Sequence, residues 1–280
     1  MTIKPFIKWV GGKRKLLKEL RKNTPKEFNA YFEPFVGGGS FFFDLLNEGL
    51  LRGKKVLVSD LNENLINCYI TIKNSVDDLI KELKKTDIYK HDKDFYYNNR
   101  IRFNEIKDNE KENYIERAAL FIYLNKTGFN GMYRENKNGK FNIPFGKMKN
   151  PKICDEELLT EISQEFNHPY NSGIEFLCCG FEEALSKVSS KNFVYIDSPY
   201  DKTFTNYNKF SFDEEKQRNL KEKIENIKEA FFLISNSNTT LTNELYEKHT
   251  INLIHVKYSI SRSAAERSDI VEEILIKINY

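Results

Sequence analysis

Residues 193–200, Phe-Val-Tyr-Ile-Asp-Ser-Pro-Tyr, bring a carboxylate, a proline-stiffened turn and an aromatic ring to the end of an apolar, β-branched and aromatic run. Such a run reads as a strand, and in α/β sheets ligands bind beyond the carboxyl ends of the strands. A carboxylate beside an exposed backbone carbonyl offers two acceptors to an NH2 group, which suits the exocyclic amine of a nucleobase, and an adjacent ring could stack on that base. The chemistry suggested is attack by that nitrogen on an electrophile held nearby. Asp197, Ser198, Pro199 and Tyr200 are therefore the candidate catalytic residues. A strand-end Asp is often only a turn or helix cap, but its company with Pro199 and Tyr200 favours catalysis.

A second constellation is Glu33-Pro34-Phe35-Val36-Gly37-Gly38-Gly39, with Asp60 about twenty residues further on. Glycines at a strand-to-helix turn let the backbone approach a ligand, and an acid ending the next strand can accept both hydroxyls of a ribose. The pair points to a nucleoside-containing cofactor. Phe42 stands where the third glycine of G-x-G-x-x-G would be, so adenosine without a pyrophosphate tail fits better than a dinucleotide. Lys8-Trp9-Val10-Gly11-Gly12-Lys13 resembles part of a phosphate loop, but Arg14 replaces the required Ser or Thr, which disfavours an ATPase. Trp9, the only tryptophan, suits either core packing or a cover over an adenine or methionine moiety.

In residues 124–136 and 141–147, glycine-bearing turns present Asn, Arg and aromatic side chains, the types that read base edges and wedge between base steps. The competing reading is a polar surface hairpin.

These residues need a frame to position them. The 280-residue chain can bury a sizeable interior, and its 44 Lys and Arg nearly cancel 41 Asp and Glu, so net charge says little about partners. The four cysteines, Cys68, Cys154, Cys178 and Cys179, lack metal-site spacing and read as buried fillers or free thiols, with no metal expected. Apolar runs such as 231–234 are far too short to span a bilayer, and a cytoplasmic protein is expected. The periodicity predicts a basic helix over 13–22, a strand over 31–36, and a helix from an N-capping Ser40 to Leu46. Further along it predicts a strand over 55–59 and a helix over 64–72. From about 75 to 150 the composition shifts to Lys, Asn, Tyr and Asp, with helical spacing in 76–83 and 115–124 and no strong strand. Strands follow at 175–179, 193–196 and 230–235, with a helix over 212–227. The end reads as a hairpin of 251–258 and 271–278 around a polar loop. The fold class is α/β, a doubly wound mixed sheet with an inserted, mostly helical subdomain.

With these motifs in order over nearly the whole chain, the sequence resembles the adenine-N6 DNA methyltransferases of the deoxyadenosine methylase family, especially those acting at GATC. The resemblance implies a sheet of the S-adenosylmethionine-dependent methyltransferase type. Residues 1–62 and 152–280 would form the catalytic domain and 63–151 a DNA-recognition subdomain. It implies S-adenosylmethionine as the methyl donor, held by Trp9, Gly11, Gly12, Lys13, Glu33, Pro34, Phe35, Gly37, Gly39 and Asp60 beside Asp197, with Asp60 on the ribose. Asp197 and the Ser198 carbonyl would accept from the N6 amino group, and Tyr200 would stack on the adenine. In double-stranded DNA, Lys8 and Met132 would read the first base pair and Arg134 with Pro144 the far end. Phe129 would insert into the duplex with Asn130 beside it. The basic helix over 13–22, with Arg262 and Arg267, would contact phosphates. A restriction endonuclease would be a partner only through a shared site, and a monomer or weak dimer is expected. The family's tetrapeptide reads Asp-Pro-Pro-Tyr, and Ser198 replaces its first proline, keeping the carbonyl but losing a fixed φ. A catalytically silent DNA-binding relative, or an enzyme with another adenine-containing site, is the alternative.

Overall fold

The computed structural model describes residues 2–85, 87–107, 113–200, 212–257 and 270–280. Its strands are β1 (Ala30–Glu33), β2 (Lys55–Asp60), β3 (Ile174–Cys178), β4 (Phe193–Ile196), β5 (Phe231–Ser237), β6 (Thr250–Lys257) and β7 (Ile270–Ile278). They form one sheet in the order β3-β2-β1-β4-β5-β7-β6, parallel except for β7, which runs antiparallel between β5 and β6. The chain winds outward from β1 to β3 and then returns to place β4 on the other side of β1. The carboxyl ends of β1 and β4 therefore flank the point where the winding reverses, the place where such sheets open a crevice.

The helices are α1 (Leu17–Lys22), α2 (Ser40–Asn47), α3 (Glu63–Asn74), α4 (Val76–Leu83), α5 (Lys93–Ile106), α6 (Tyr114–Thr127), α7 (Glu156–Phe166), α8 (Phe181–Ser186), α9 (Glu214–Asn226) and α10 (Thr240–Tyr246). Alternate strand residues divide between two cores. Tyr31, Val56, Val58, Phe193, Tyr195 and Leu233 join the core that includes α2, α3, α6 and α7. Phe32, Leu57, Val194, Ile196, Phe232 and Ile234 join the core of α8, α9 and α10. With both faces covered, β1 and β4 are buried at every position, as the apolar run of β4 and of Ala30 to Phe32 requires, and Glu33 is carried into the interior with them. α3 begins at the expected 62/63 boundary and touches β2 and β3 as well as α6.

Local chemistry shifts several expected boundaries. β1 ends at Glu33 rather than 36, because Pro34 has no amide to continue a ladder. Ser40 is not the N-cap of α2. Gly39 holds that position with φ +68, a left-handed backbone that serine resists, and no side chain caps the helix. α1 begins only at Leu17, since Lys13 to Leu16 form turns and Lys13 points inward. Arg21 is paired with Asp44 and Glu48 and Lys22 with Glu19, while Arg14, Lys15 and Lys18 of the same basic stretch are exposed. α5 escapes the periodicity because its buried positions include the polar Tyr96 and Asn99 besides Phe103 and Ile106. The polar loop over 259–269, with Arg262 and Arg267, lies outside the described residues.

Phe42 shows why a glycine is excluded there. Its ring is fully buried and lies 5.8 Å from Phe166 and 6.2 Å from Phe176, joining α2 to α7 and β3. Phe42→Ala removes a ring from a close-packed core and is expected to destabilise the fold by about 3–5 kcal/mol. Denaturant titration measures it; a loss of less than about 1 kcal/mol would mean the cluster collapses around the gap.

Candidate active site

The tetrapeptide leaves the end of β4 inside a web of contacts from distant segments. Lys13, only 4% exposed, sets its ammonium 2.8 Å from Oδ1 of Asp197, 2.7 Å from the Gly11 carbonyl and 4.7 Å from the centre of the Tyr200 ring. The Ser235 hydroxyl donates to the same Oδ1 at 2.9 Å. Tyr200 donates its hydroxyl to Glu273 of β7 at 2.7 Å, and Gln217 of α9 donates to the Pro199 carbonyl at 2.9 Å. Burial, then the charges of Asp197 and Glu273, pushes the Tyr200 phenol well above its ordinary range, which keeps it a donor. Ser198 is buried, and its hydroxyl has no partner among the described residues.

Across the switch point lies the turn after β1. Trp9 closes on it: a Cβ added to Gly37 would stand 2.7 Å from the Trp9 ring, and Gly37 has φ +48, so only glycine fits. On its far side the indole stacks on Phe121 and Tyr133 at 6.4 and 6.1 Å. Trp9 is thus partly a packing residue and partly a wall of the turn. Asp60 accepts from the Gly37 amide at 3.1 Å and the Asn62 amide at 2.9 Å. Burial raises its carboxyl above the usual range, opposed by those same amides. Gly11 and Gly12 are exposed beside Lys13, and Phe35 lies against Phe181 and Phe212 at 5.8 and 5.6 Å.

Glu33 and Pro34 face inward. The Glu33 carboxyl, 2% exposed, accepts from Tyr31 at 2.6 Å and is pushed up to about 8. Burial dominates that shift, the Tyr31 hydrogen bond opposes it, and the nearby Asp197 charge adds to it. Glu33 therefore underlies the turn rather than lining it.

The third group gathers at the end of α6. Asn125 accepts from the Lys8 amide at 3.0 Å and donates to the carbonyls of Lys8 and Gly131, both at 2.9 Å, tying the start of the chain to the 129–133 turn. Phe129 is 48% exposed, Asn130 adopts φ 55 beside it, and the Phe129 amide donates to the Pro144 carbonyl at 2.9 Å. Met132 packs on the core with Tyr133, while Arg134 donates to Asn142 at 2.7 Å. The Lys126 ammonium is held below its ordinary range, chiefly by burial, and the Lys8, Lys4 and Arg14 charges add to this against the pull of Asp155. Those four cations form one electropositive neighbourhood, with Lys4, Lys8 and Arg14 exposed.

Ser235, Gln217 and Glu273 are contacts that the motifs do not name, while Asn125 belongs to the 124–136 segment but acts by tying Lys8 to Gly131 rather than by facing outward. Two had a signal: Ser-Asn-Ser ends the apolar run of β5, and Glu273 interrupts the apolar run of β7 yet is buried. Gln217 had none, being a polar residue on a helix. Among the described residues no cluster of His, Cys, Asp and Glu could hold a metal ion, and no helix is long and apolar enough to cross a membrane.

A doubly wound sheet that sets a glycine turn, a strand-end acid and an Asp-Ser-Pro-Tyr turn around one crevice has the make-up of a group-transfer enzyme. Comparison with known proteins narrows that class. The D12 class N6 adenine-specific DNA methyltransferase model matches residues 9–260. The type II methyltransferase M.MjaIII of Methanocaldococcus jannaschii is 40% identical over 299 residues, covering all of both chains. M1.LlaDCHI of Lactococcus lactis subsp. cremoris, also a type II methyltransferase, is 35% identical over 100% of this chain and 96% of its own. The DNA adenine methylase of Haemophilus influenzae is 34% identical over 98% and 93%. The chain belongs to the D12 class N6 adenine-specific DNA methyltransferase family, and it is an adenine-specific DNA methyltransferase.

Glu33 has a measurable signature. Its carboxyl ionises near 8 in the fold against an ordinary value of 4.5, so between these limits the folded state binds more protons and stability falls as pH rises. Glu33→Gln is expected to flatten the pH dependence of unfolding free energy over that window. An unchanged slope would mean that Glu33 is ionised in the fold.

Proposed function

We propose that this chain moves a methyl group from S-adenosylmethionine to N6 of an adenine flipped out of double-stranded DNA, within GATC. The observation that carries the reading is the Lys13 ammonium, which donates to Asp197 while lying over the Tyr200 ring. A nitrogen donor on that carboxylate, against that aromatic face, is the arrangement an adenine amino group would adopt there. Lys13 must leave Asp197 as the base enters.

The crevice suits the cofactor on chemical grounds. The Asp60 carboxylate keeps lone pairs for two ribose hydroxyls beyond its two amide bonds. Gly39 offers α2 no side-chain cap, and the Glu33 carboxyl takes the Phe42 amide of its first turn, so a carboxylate group of the cofactor would have only the amides ahead of Phe42. Trp9, Gly11, Gly12, Lys13, Phe35, Gly37 and Gly39 would complete the walls, with Glu33 and Pro34 beneath. When bound, the group supplies an electrophilic methyl on a positively charged sulfur. The protein's part is alignment and acceptance: Asp197 and the Ser198 carbonyl take hydrogen bonds from the amine, favouring a nitrogen whose lone pair is free to attack, while Tyr200 fixes the base plane.

Unstacking the base costs a few kcal/mol. Exposed Phe129, with Asn130 beside it, suits the wedge that offsets part of this. Lys8, Met132, Arg134 and Pro144 are proposed for base readout, and residues 63–151 as the recognition subdomain. Lys4 and the Lys126 neighbourhood join the exposed cations of residues 13–22, Arg14 among them, as proposed phosphate contacts.

The reading is tested by transfer of labelled methyl to a GATC duplex, a scrambled duplex, and a GATC duplex already carrying N6-methyladenine. Label is expected in the first alone, and Asp197→Ala is expected to abolish it while leaving cofactor affinity within about threefold, since the proposed ribose contact is on Asp60 and the glycine turn is untouched. Near-normal turnover by Asp197→Ala would sink the assigned role. Equal labelling of the scrambled duplex would sink the site. DNA binding with no transfer to any duplex would leave a silent binding module.

A further inference from the structure

We propose that the Ser235 hydroxyl, braced by Tyr195, is a positioning group that pins Oδ1 of Asp197 and turns Oδ2 toward the target amine. Together with Gln217 it supplies the restraint that Ser198 gave up. The proposal rests on the reading of Asp197 as the amine's acceptor.

Parallel pairing sets Ile196 against Ile234, so Asp197 and Ser235 are the next residues of adjacent strands, side by side where β4 ends. Ser235 is fully buried and donates to Oδ1 at 2.9 Å. An ionised carboxylate only accepts, so the single proton of Ser235 is committed to Asp197. Its contact with the Tyr195 hydroxyl, at 3.0 Å, must then be donated by the tyrosine. Burial first, and the Asp197 charge second, pushes the Tyr195 phenol well above its ordinary range, so it keeps that proton. The order of donation is fixed: Tyr195 to Ser235 to Asp197.

Lys13 also bonds Oδ1, and among the described residues no hydrogen bond or ion pair reaches Oδ2. When Lys13 withdraws, Ser235 is the contact that still fixes the carboxylate's rotation. A proline at 198 would hold the turn through its ring, and serine does not. The Ser198 hydroxyl gives no substitute, being buried with no partner among the described residues. The turn is instead gripped on either side of Ser198, by Ser235 on Asp197 and by Gln217 on the Pro199 carbonyl.

The experiment is a single-turnover rate cycle on the GATC duplex, with affinities for S-adenosylmethionine and DNA measured alongside. Ser235→Ala is expected to slow transfer about ten- to hundredfold, the size of a hydrogen bond to a charged group, with both affinities within about twofold. Tyr195→Phe is expected to slow it less, and the double variant no more than Ser235→Ala alone, because the two act in series. In a Ser198→Pro background the Ser235→Ala loss is expected to shrink to less than about threefold. Should Ser198→Pro fail to fold, Gln217→Ala replaces it, and there the Ser235→Ala loss is expected to grow. Equal losses in both backgrounds overturn the shared restraint, and a loss carried by affinity rather than rate overturns the positioning role. A wild-type chain that binds DNA and cofactor yet labels no duplex fails the reading of Asp197 itself, and this proposal with it.

Discussion

The pairing of β1 with β4 is the constraint on which the site depends. Tyr31 lies opposite Phe193 and Phe32 opposite Val194, so Glu33 and Asp197 leave neighbouring strands at one edge. The two segments are far apart in sequence, and only a winding that reverses between these strands makes them adjacent. Burial on both faces then fixes register, since a one-residue slip would move Tyr31 and Tyr195 into the opposite core. Catalytic spacing is thus set by the same packing that stabilises the sheet.

That convergence crowds three acids together, and the fold accommodates each differently. Glu33 keeps its proton, Asp60 is met by two amides, and Asp197 is met by Lys13 and Ser235. Desolvation penalises the Glu33 and Asp60 charges alike, and the donors at hand set the two apart. Asp197 is the one whose main partner is a long, flexible cation rather than fixed backbone. A group that must exchange partners during turnover is best held by a side chain that can move. Glu33, sealed beneath the turn, has no such need.

Much of the frame was legible. The strand at 193–196, the turn at 37–39, Asp60 and the late hairpin followed from apolar runs and the residues that end them. Boundaries failed where one residue overrode the pattern, as when Gly39 took the capping position from Ser40 and Pro34 ended β1 early. α5 was missed because a helix buried through tyrosine and asparagine has no apolar stripe. In the site, the residues on motifs were readable and those acting across the fold were not. Glu273 reaches Tyr200 over a separation of 73 residues, and nothing local marks that pairing. Lys13 was readable as a crevice residue, but nothing in its local sequence marks the contact with Asp197 that draws it inward among residues 13–22.

Residues 8–13 join the parts of the molecule. Lys8 is tied through Asn125 to the Gly131 turn, Trp9 packs between Gly37 and Tyr133, and Lys13 reaches Asp197 and Tyr200. One short segment thereby touches the proposed recognition turn, the proposed cofactor turn and the proposed acceptor. If the 129–133 turn shifts on DNA, the strain passes to Lys8 through hydrogen bonds and to Trp9 through stacked rings, both stiff against small displacements. The Lys13 ammonium, at the far end of this segment, is the group that the proposed reading requires to move before a base is seated. On the proposed reading, the continuity of six residues packed against both turns is the path by which the recognition turn and the acceptor would be joined.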